Sequence, residues 1–153
     1  MNPRDFLDTA SRLSSSSSPT AADLRTSVSR AYYAAFNVAL EFLRNAGVKP
    51  PDGWEGHRLV SEALQYSDDH EIRAGAAELT DLRKARWKAD YEMDDTEVEY
   101  ERTVRKLVAR SRQMIRKLDN CSLDEVRRRD TSMKIRKWAQ TADGSARGFI
   151  VPS

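Results

Sequence analysis

Apolar residues recur every three or four positions along most of this chain, a spacing that predicts helices in series. Asn2 can cap a first helix with Pro3 in its opening turn, running to about Leu13. The serines at 14–18 and Pro19 then read as a polar linker. A second helix is predicted over residues 20–45, with Gly47 as its stop. It carries two apolar seams: Ala31, Ala35, Val38 and Phe42, and beside them Tyr32, Phe36, Ala39 and Leu43. A helix apolar on two sides packs neighbours on both, which makes it the central helix.

Residues 48–53, with Pro50, Pro51 and Gly53, break the pattern. A short third helix over residues 57–66 carries Leu59, Val60, Ala63 and Leu64. Asp68 or Asp69 caps a fourth, which buries Ile72, Ala76, Leu79 and Leu82 and ends near Met93. Thr96 with Glu99 reads as a capping box opening a fifth helix, seamed by Tyr100, Val104, Leu107, Ser111, Met114 and Leu118. Ser122 with Glu125 reads as another, opening a sixth helix to about Thr141. The apolar positions of that helix (Leu123, Val126, Met133, Ile135, Trp138) share no single stripe, so it is expected to be peripheral or partner-dependent. Asp143-Gly144 ends it, and the tail 145–153 is expected to be mobile unless Phe149-Ile150-Val151 docks. No β-pattern of any length appears. The predicted fold is all-α: an antiparallel up-and-down bundle of four to five helices over residues 1–120, with an extra C-terminal helix and tail over 121–153.

Composition narrows the class. One third of the 153 residues are charged, and no apolar run approaches the roughly 20 residues that span a bilayer, so no membrane role is expected. Met1–Asp5 lacks the basic start and apolar centre of a secretory signal. The single Cys121 makes no intrachain disulfide, which fits a reducing, cytoplasmic setting. One Cys and two His at distant positions supply no tetrahedral zinc set, and no metal or cofactor is expected. The net charge of +2 conceals a division. Residues 1–101 hold 12 Lys/Arg against 19 Asp/Glu, whereas residues 102–137 hold 13 against 4. The basic stretch either marks a partner bearing phosphates or an acidic surface, or neutralises the acidic front of the same fold or of a second subunit.

The candidate chemistry lies at the end of the fourth helix. Arg83, Arg86 and Asp90 share a face, and Arg86 and Asp90 form an i, i+4 pair. Asp90 can orient the Arg86 guanidinium and leave its other donors for a phosphate, while Tyr91 offers a ring to stack or a hydroxyl to donate. Arg30 and Tyr33 are i, i+3 neighbours on the second helix and can project towards the same place. Taken alone, this set also describes an ordinary solvated ion pair beside a buried tyrosine, worth about 0.5 kcal/mol. His57, at the start of the third helix, is either an acid/base candidate or an imidazole satisfied by backbone, and His70 sits exposed in an acidic first turn.

Ser29-Arg-Ala-Tyr-Tyr-Ala-Ala-Phe36, Gly56-His57-Arg-Leu-Val60 and Arg86-Trp-Lys-Ala-Asp-Tyr91 together resemble the signature segments of prokaryotic HEPN domains, over roughly residues 1–120. These helical domains are often encoded beside minimal nucleotidyltransferases. The resemblance implies a four- to five-helix bundle, frequently a homodimer, in a toxin–antitoxin or phage-defence system. RNA or a nucleotide is the implied ligand, and a nucleotidyltransferase the implied protein partner. Active members are metal-independent ribonucleases that use an arginine and a histidine separated by four to six residues. This chain lacks that pair: neither His57 nor His70 follows an arginine at the required spacing, and positions 88–93 hold no histidine. Three readings follow. In the first, the chain binds RNA or a nucleotide through Arg30, Tyr33, Arg83, Arg86 and Tyr91 without efficient cleavage. In the second, it is a protein-interaction subunit. In the third, it cleaves RNA with His57, Arg86 and Asp90 as catalytic groups.

Overall fold

The apolar spacing folds into seven α-helices in the computed structural model, which describes residues 1–153. They are α1 (Arg4–Ser14), α2 (Ala21–Asn45), α3 (Trp54–Gln65), α4 (His70–Tyr91), α5 (Glu101–Leu123), α6 (Glu125–Ala139) and α7 (Ala142–Ala146). There are no strands, only an antiparallel bridge between Lys49 and Ile150, so the chain is all-α as its periodicity predicts. No helix is long and apolar enough to cross a membrane.

Capping at the helix ends accounts for several boundaries. Thr20 and Asp23 cap α2 reciprocally: each backbone N–H donates to the other's side chain, at 2.9 and 3.1 Å. At its far end Gly47 takes φ +80°, and Val48 and Gly47 donate to the carbonyls of Leu43 and Arg44, closing a Schellman turn. Asp69 caps α4, its carboxylate accepting from the N–H groups of Glu71 and Ile72. Two expected capping boxes do not form. Thr96 makes no cap; a 3-10 turn at Glu97–Glu99 intervenes, and Asp95 takes the Glu97 N–H. Ser122 lies inside α5, donating to the Leu118 carbonyl, and Asp124 caps α6 by accepting from Arg127.

The chain forms two compact units, residues 1–37 with 78–114 and residues 38–77 with 115–153, each of which takes one part of α2, α4 and α5. In the first unit, successive contacts show an antiparallel arrangement. Phe6 and Ala10 of α1 meet Arg30 and Ser27 of α2; Tyr33 and Ser29 of α2 meet Arg86 and Asp90 of α4; Asp81 of α4 meets Arg110 of α5. Its core holds Leu7, Val28, Ala31, Tyr32, Leu79, Leu82, Val104 and Met114. Ser111 is buried there too, satisfied by donating to the Ala31 carbonyl at 2.7 Å. Tyr100, expected on the α5 seam, precedes the helix and is exposed.

The second unit buries the remaining seam residues Val38, Phe42, Leu43, Leu59, Leu64, Ile72 and Leu118. It also explains the disordered-looking pattern of α6. Ile135 and Trp138 face inward with Thr131 and Ala139, whereas Val126 and Met133, about half a turn away, face outward. The helix is therefore anchored: Arg127 pairs with Asp69 and Glu71, at 3.0 and 2.9 Å. The tail docks rather than moving freely. Thr141 caps the unforeseen α7, Phe149 is buried edge-on against Trp138, Trp138 stacks on Tyr66 at 4.1 Å, and Arg147 pairs with Glu62.

Candidate functional site: an arginine–tyrosine cluster

The first unit gathers Arg30 and Tyr33 of α2 with Arg86, Asp90 and Tyr91 of α4. Because α2 and α4 are antiparallel, the i, i+3 pair of one meets the i, i+4 pair of the other. The guanidinium carbons of Arg30 and Arg86 lie 5.5 and 5.8 Å from the centre of the Tyr33 ring, so one phenol contacts both cations. Arg30 also lies 5.1 Å from the Phe6 ring, and Arg86 lies 5.6 Å from the rings of both Tyr32 and Tyr91. Asp90 accepts long contacts from Arg86 (3.5 Å) and from the Ser29 hydroxyl (3.4 Å).

The Arg86 side chain is only 11 % exposed, and its Nε–H finds no acceptor; the buried Nε–H of Arg30 finds none either. The ring faces beneath them offset part of that deficit. Buried donors without acceptors are uncommon, and two in one cluster leave it short of negative charge. Arg83 adds a third cation, close enough to act on the Tyr32 phenol. A single long carboxylate contact stands against them, so the cluster carries an excess of positive charge. Ionised carboxylates or phosphates would supply the missing oxygens.

Two of its groups have shifted proton affinities. Burial works against the charge on Arg86, but the Tyr33 phenol, a hydrogen bond with Tyr91 and the Asp90 carboxylate outweigh it and hold the guanidinium above its ordinary pKa. Burial pushes the Tyr32 phenol well above the usual tyrosine value, against the pull of Arg86 and Arg83. Neither group exchanges a proton near neutrality. His57, in α3, and His70, at the first turn of α4, both belong to the second unit, while the cluster belongs to the first. No three His, Cys, Asp or Glu side chains gather into a group able to hold a metal ion.

Two contributors, Trp87 and Arg25, go beyond the residues singled out from the sequence. Trp87 and Tyr91 form an exposed aromatic rim, 55 % and 60 % accessible, with ring centres 4.6 Å apart at 45°. Their i, i+4 relation was available in the sequence as the signal. Arg25 is the other. Its buried guanidinium donates to the carbonyls of Lys88, Ala89, Glu92, Met93 and Asp95 and to the Glu99 carboxylate at 2.7 Å. These include carbonyls that the end of α4 leaves unpaired, so Arg25 fixes the turn that carries Arg86, Asp90 and Tyr91. No family model, curated protein or solved structure matches this chain.

Proposed function

We propose that this chain is a HEPN-type module that binds RNA or a nucleotide, within a toxin–antitoxin or phage-defence system, and that binding rather than cleavage is its task. One observation supports the reading above the others: Arg30 and Arg86 meet at Tyr33, each with a buried Nε–H lacking an acceptor. Phosphate oxygens would complete both guanidinium groups, and the exposed rings of Trp87 and Tyr91 would stack on a neighbouring base. An ion pair kept for packing alone would satisfy its own donors. Binding is favoured over cleavage because neither His57 nor His70 follows an arginine at the spacing that active HEPN members use, so the expected acid/base group is missing.

The test is equilibrium binding of a labelled single-stranded 12-nucleotide RNA, comparing the natural chain with Arg30→Gln/Arg86→Gln. A loss of at least about tenfold, or roughly 1.4 kcal/mol, is expected with helix content unchanged. Equal binding by the two proteins would remove the basis of the proposal. The cleaving alternative, with His57 beside Arg86 and Asp90, predicts RNA breakdown in EDTA that His57→Ala abolishes. The interaction-subunit alternative is favoured by the exposed Leu123 and Val126 at the α5–α6 junction. It predicts stable pairing with a nucleotidyltransferase or with itself that survives loss of Arg30 and Arg86.

A further inference from the structure

Part of the charge of the basic segment is paired within its fold. Of its cations, Arg105 pairs with Glu101, Arg110 with Asp81, Arg127 with Asp69 and Glu71, Arg129 with Glu125, and Lys134 with Asp68 and Asp130. On α6 this leaves Arg128, Arg136 and Lys137 with no carboxylate partner. These three line one groove of about 550 Å³, together with Arg129, Asn45, Ser132, Met133 and Gln140, and no acidic residue lines it. A second hollow, of about 310 Å³, shares Asn45, Arg128 and Ser132 with it and continues it to Phe42 and Ala46.

We infer that this groove is a binding site for the phosphodiester backbone of single-stranded nucleic acid, separate from the arginine–tyrosine cluster. From Arg128 to Lys137 the helix rises about 13 Å, long enough to face several consecutive phosphates. The polar groups of Asn45, Ser132 and Gln140 can donate to phosphate oxygens between the cations. An acidic protein partner fits less well, because interface cores are apolar and poor in charge. Here Met133 is the lone apolar side chain lining the larger groove. No ring lines that groove, so it reads backbone and leaves bases unread. Packing explains part of Arg136, whose side chain lies beside Gly47 at the negative C-terminal end of α2. It does not explain three unpaired cations around one hollow.

The test compares Arg128→Gln/Arg136→Gln/Lys137→Gln with the natural sequence, and repeats the comparison in an Arg30→Gln/Arg86→Gln background. The probes are 20-nucleotide single-stranded RNA and DNA. In both backgrounds the groove substitutions are expected to weaken RNA binding at least tenfold and to lower the salt slope by about 2, close to 0.7 for each lost phosphate contact. RNA and DNA should bind within about threefold of each other. An unchanged affinity and slope would overturn the inference whatever the cluster does, since the second background tests the groove alone. So would, in the Arg30→Gln/Arg86→Gln background, a preference beyond tenfold for one nucleic acid, or poly-glutamate competing as well as RNA at equal charge, which would assign the groove to an acidic protein.

Discussion

Replacing Arg25 by Met keeps most of its buried stem and removes the guanidinium that ties down the end of α4. Five backbone carbonyls and the Glu99 carboxylate, at 2.7–3.3 Å, lose a donor at once. The individual bonds cannot be summed, because solvent reaches some of these acceptors once the cation is gone. Breaking a buried ion pair by removing one partner costs about 3–5 kcal/mol, and the stranded carbonyls place this site within that range. For 153 residues the unfolding entropy is near 0.3 kcal/mol/K, so a loss of about 4 kcal/mol lowers Tm by roughly 12 °C. Thermal and urea unfolding measure the global loss. Amide hydrogen exchange should show protection falling first at residues 88–95. Arg25→Lys should recover less than half of the stability, since an ammonium cannot span acceptors that a planar fork reaches. A destabilisation below about 1 kcal/mol, or unchanged protection at residues 88–95, would refute the assignment of Arg25 as the clamp on this turn.

Arg86→Met should change Tm by less than about 3 °C while weakening RNA binding at least tenfold, because an apolar side chain removes a buried charge that is incompletely paired; calorimetry and anisotropy on one sample separate the two effects. Asp69 supplies an acid-sensitive contact. Burial raises its pKa, but Arg127 and the N–H groups of Ile72 and Glu71 prevail and hold it below the ordinary aspartate range. Its contribution is thus complete above about pH 4 and is lost as pH falls through the lower folded value, so Asp69→Asn should flatten the dependence of stability on pH below about 4. Gly144→Ala would bring a Cβ within 2.6–2.7 Å of the backbone of Trp138 and Ala139, displacing α7. The stack of Trp138 on Tyr66 and its contact with Phe149 should loosen, visible as a change in tryptophan emission and near-ultraviolet circular dichroism.

Elements whose cause is local were legible in the sequence. Ala31, Ala35 and Val38 on α2, Leu59 and Leu64 on α3, and Ile72 and Leu79 on α4 are all buried as their spacing implies. Each failed boundary has a nearby competitor. Asp95 and Asp124 stand beside Thr96 and Ser122 and take the cap N–H groups, and the carboxylate that would close the first box, Glu99, is held by Arg25. The docked tail was illegible because Phe149 is buried by Trp138, whose own stack rests on Tyr66, more than seventy residues earlier. The outward and inward stripes of α6 merged into apparent disorder until its buried side was known. Within the cluster, Arg86–Asp90 and Arg30–Tyr33 were each visible by helical spacing. Their meeting was not, since it depends on the pairing of α2 with α4. Arg25 left no local sign at all, because its partners are carbonyls 63–70 residues further on.

The most direct test of the central claim follows the arginine Nε–H signals by NMR, assigned with Arg30→Lys and Arg86→Lys, during titration with a 5′-phosphorylated ribodinucleotide too short to span a long groove. The account predicts that the Arg30 and Arg86 signals move together along one saturating curve, as both donors gain a phosphate oxygen. Signals that stay fixed while the ligand binds elsewhere on the protein would contradict it.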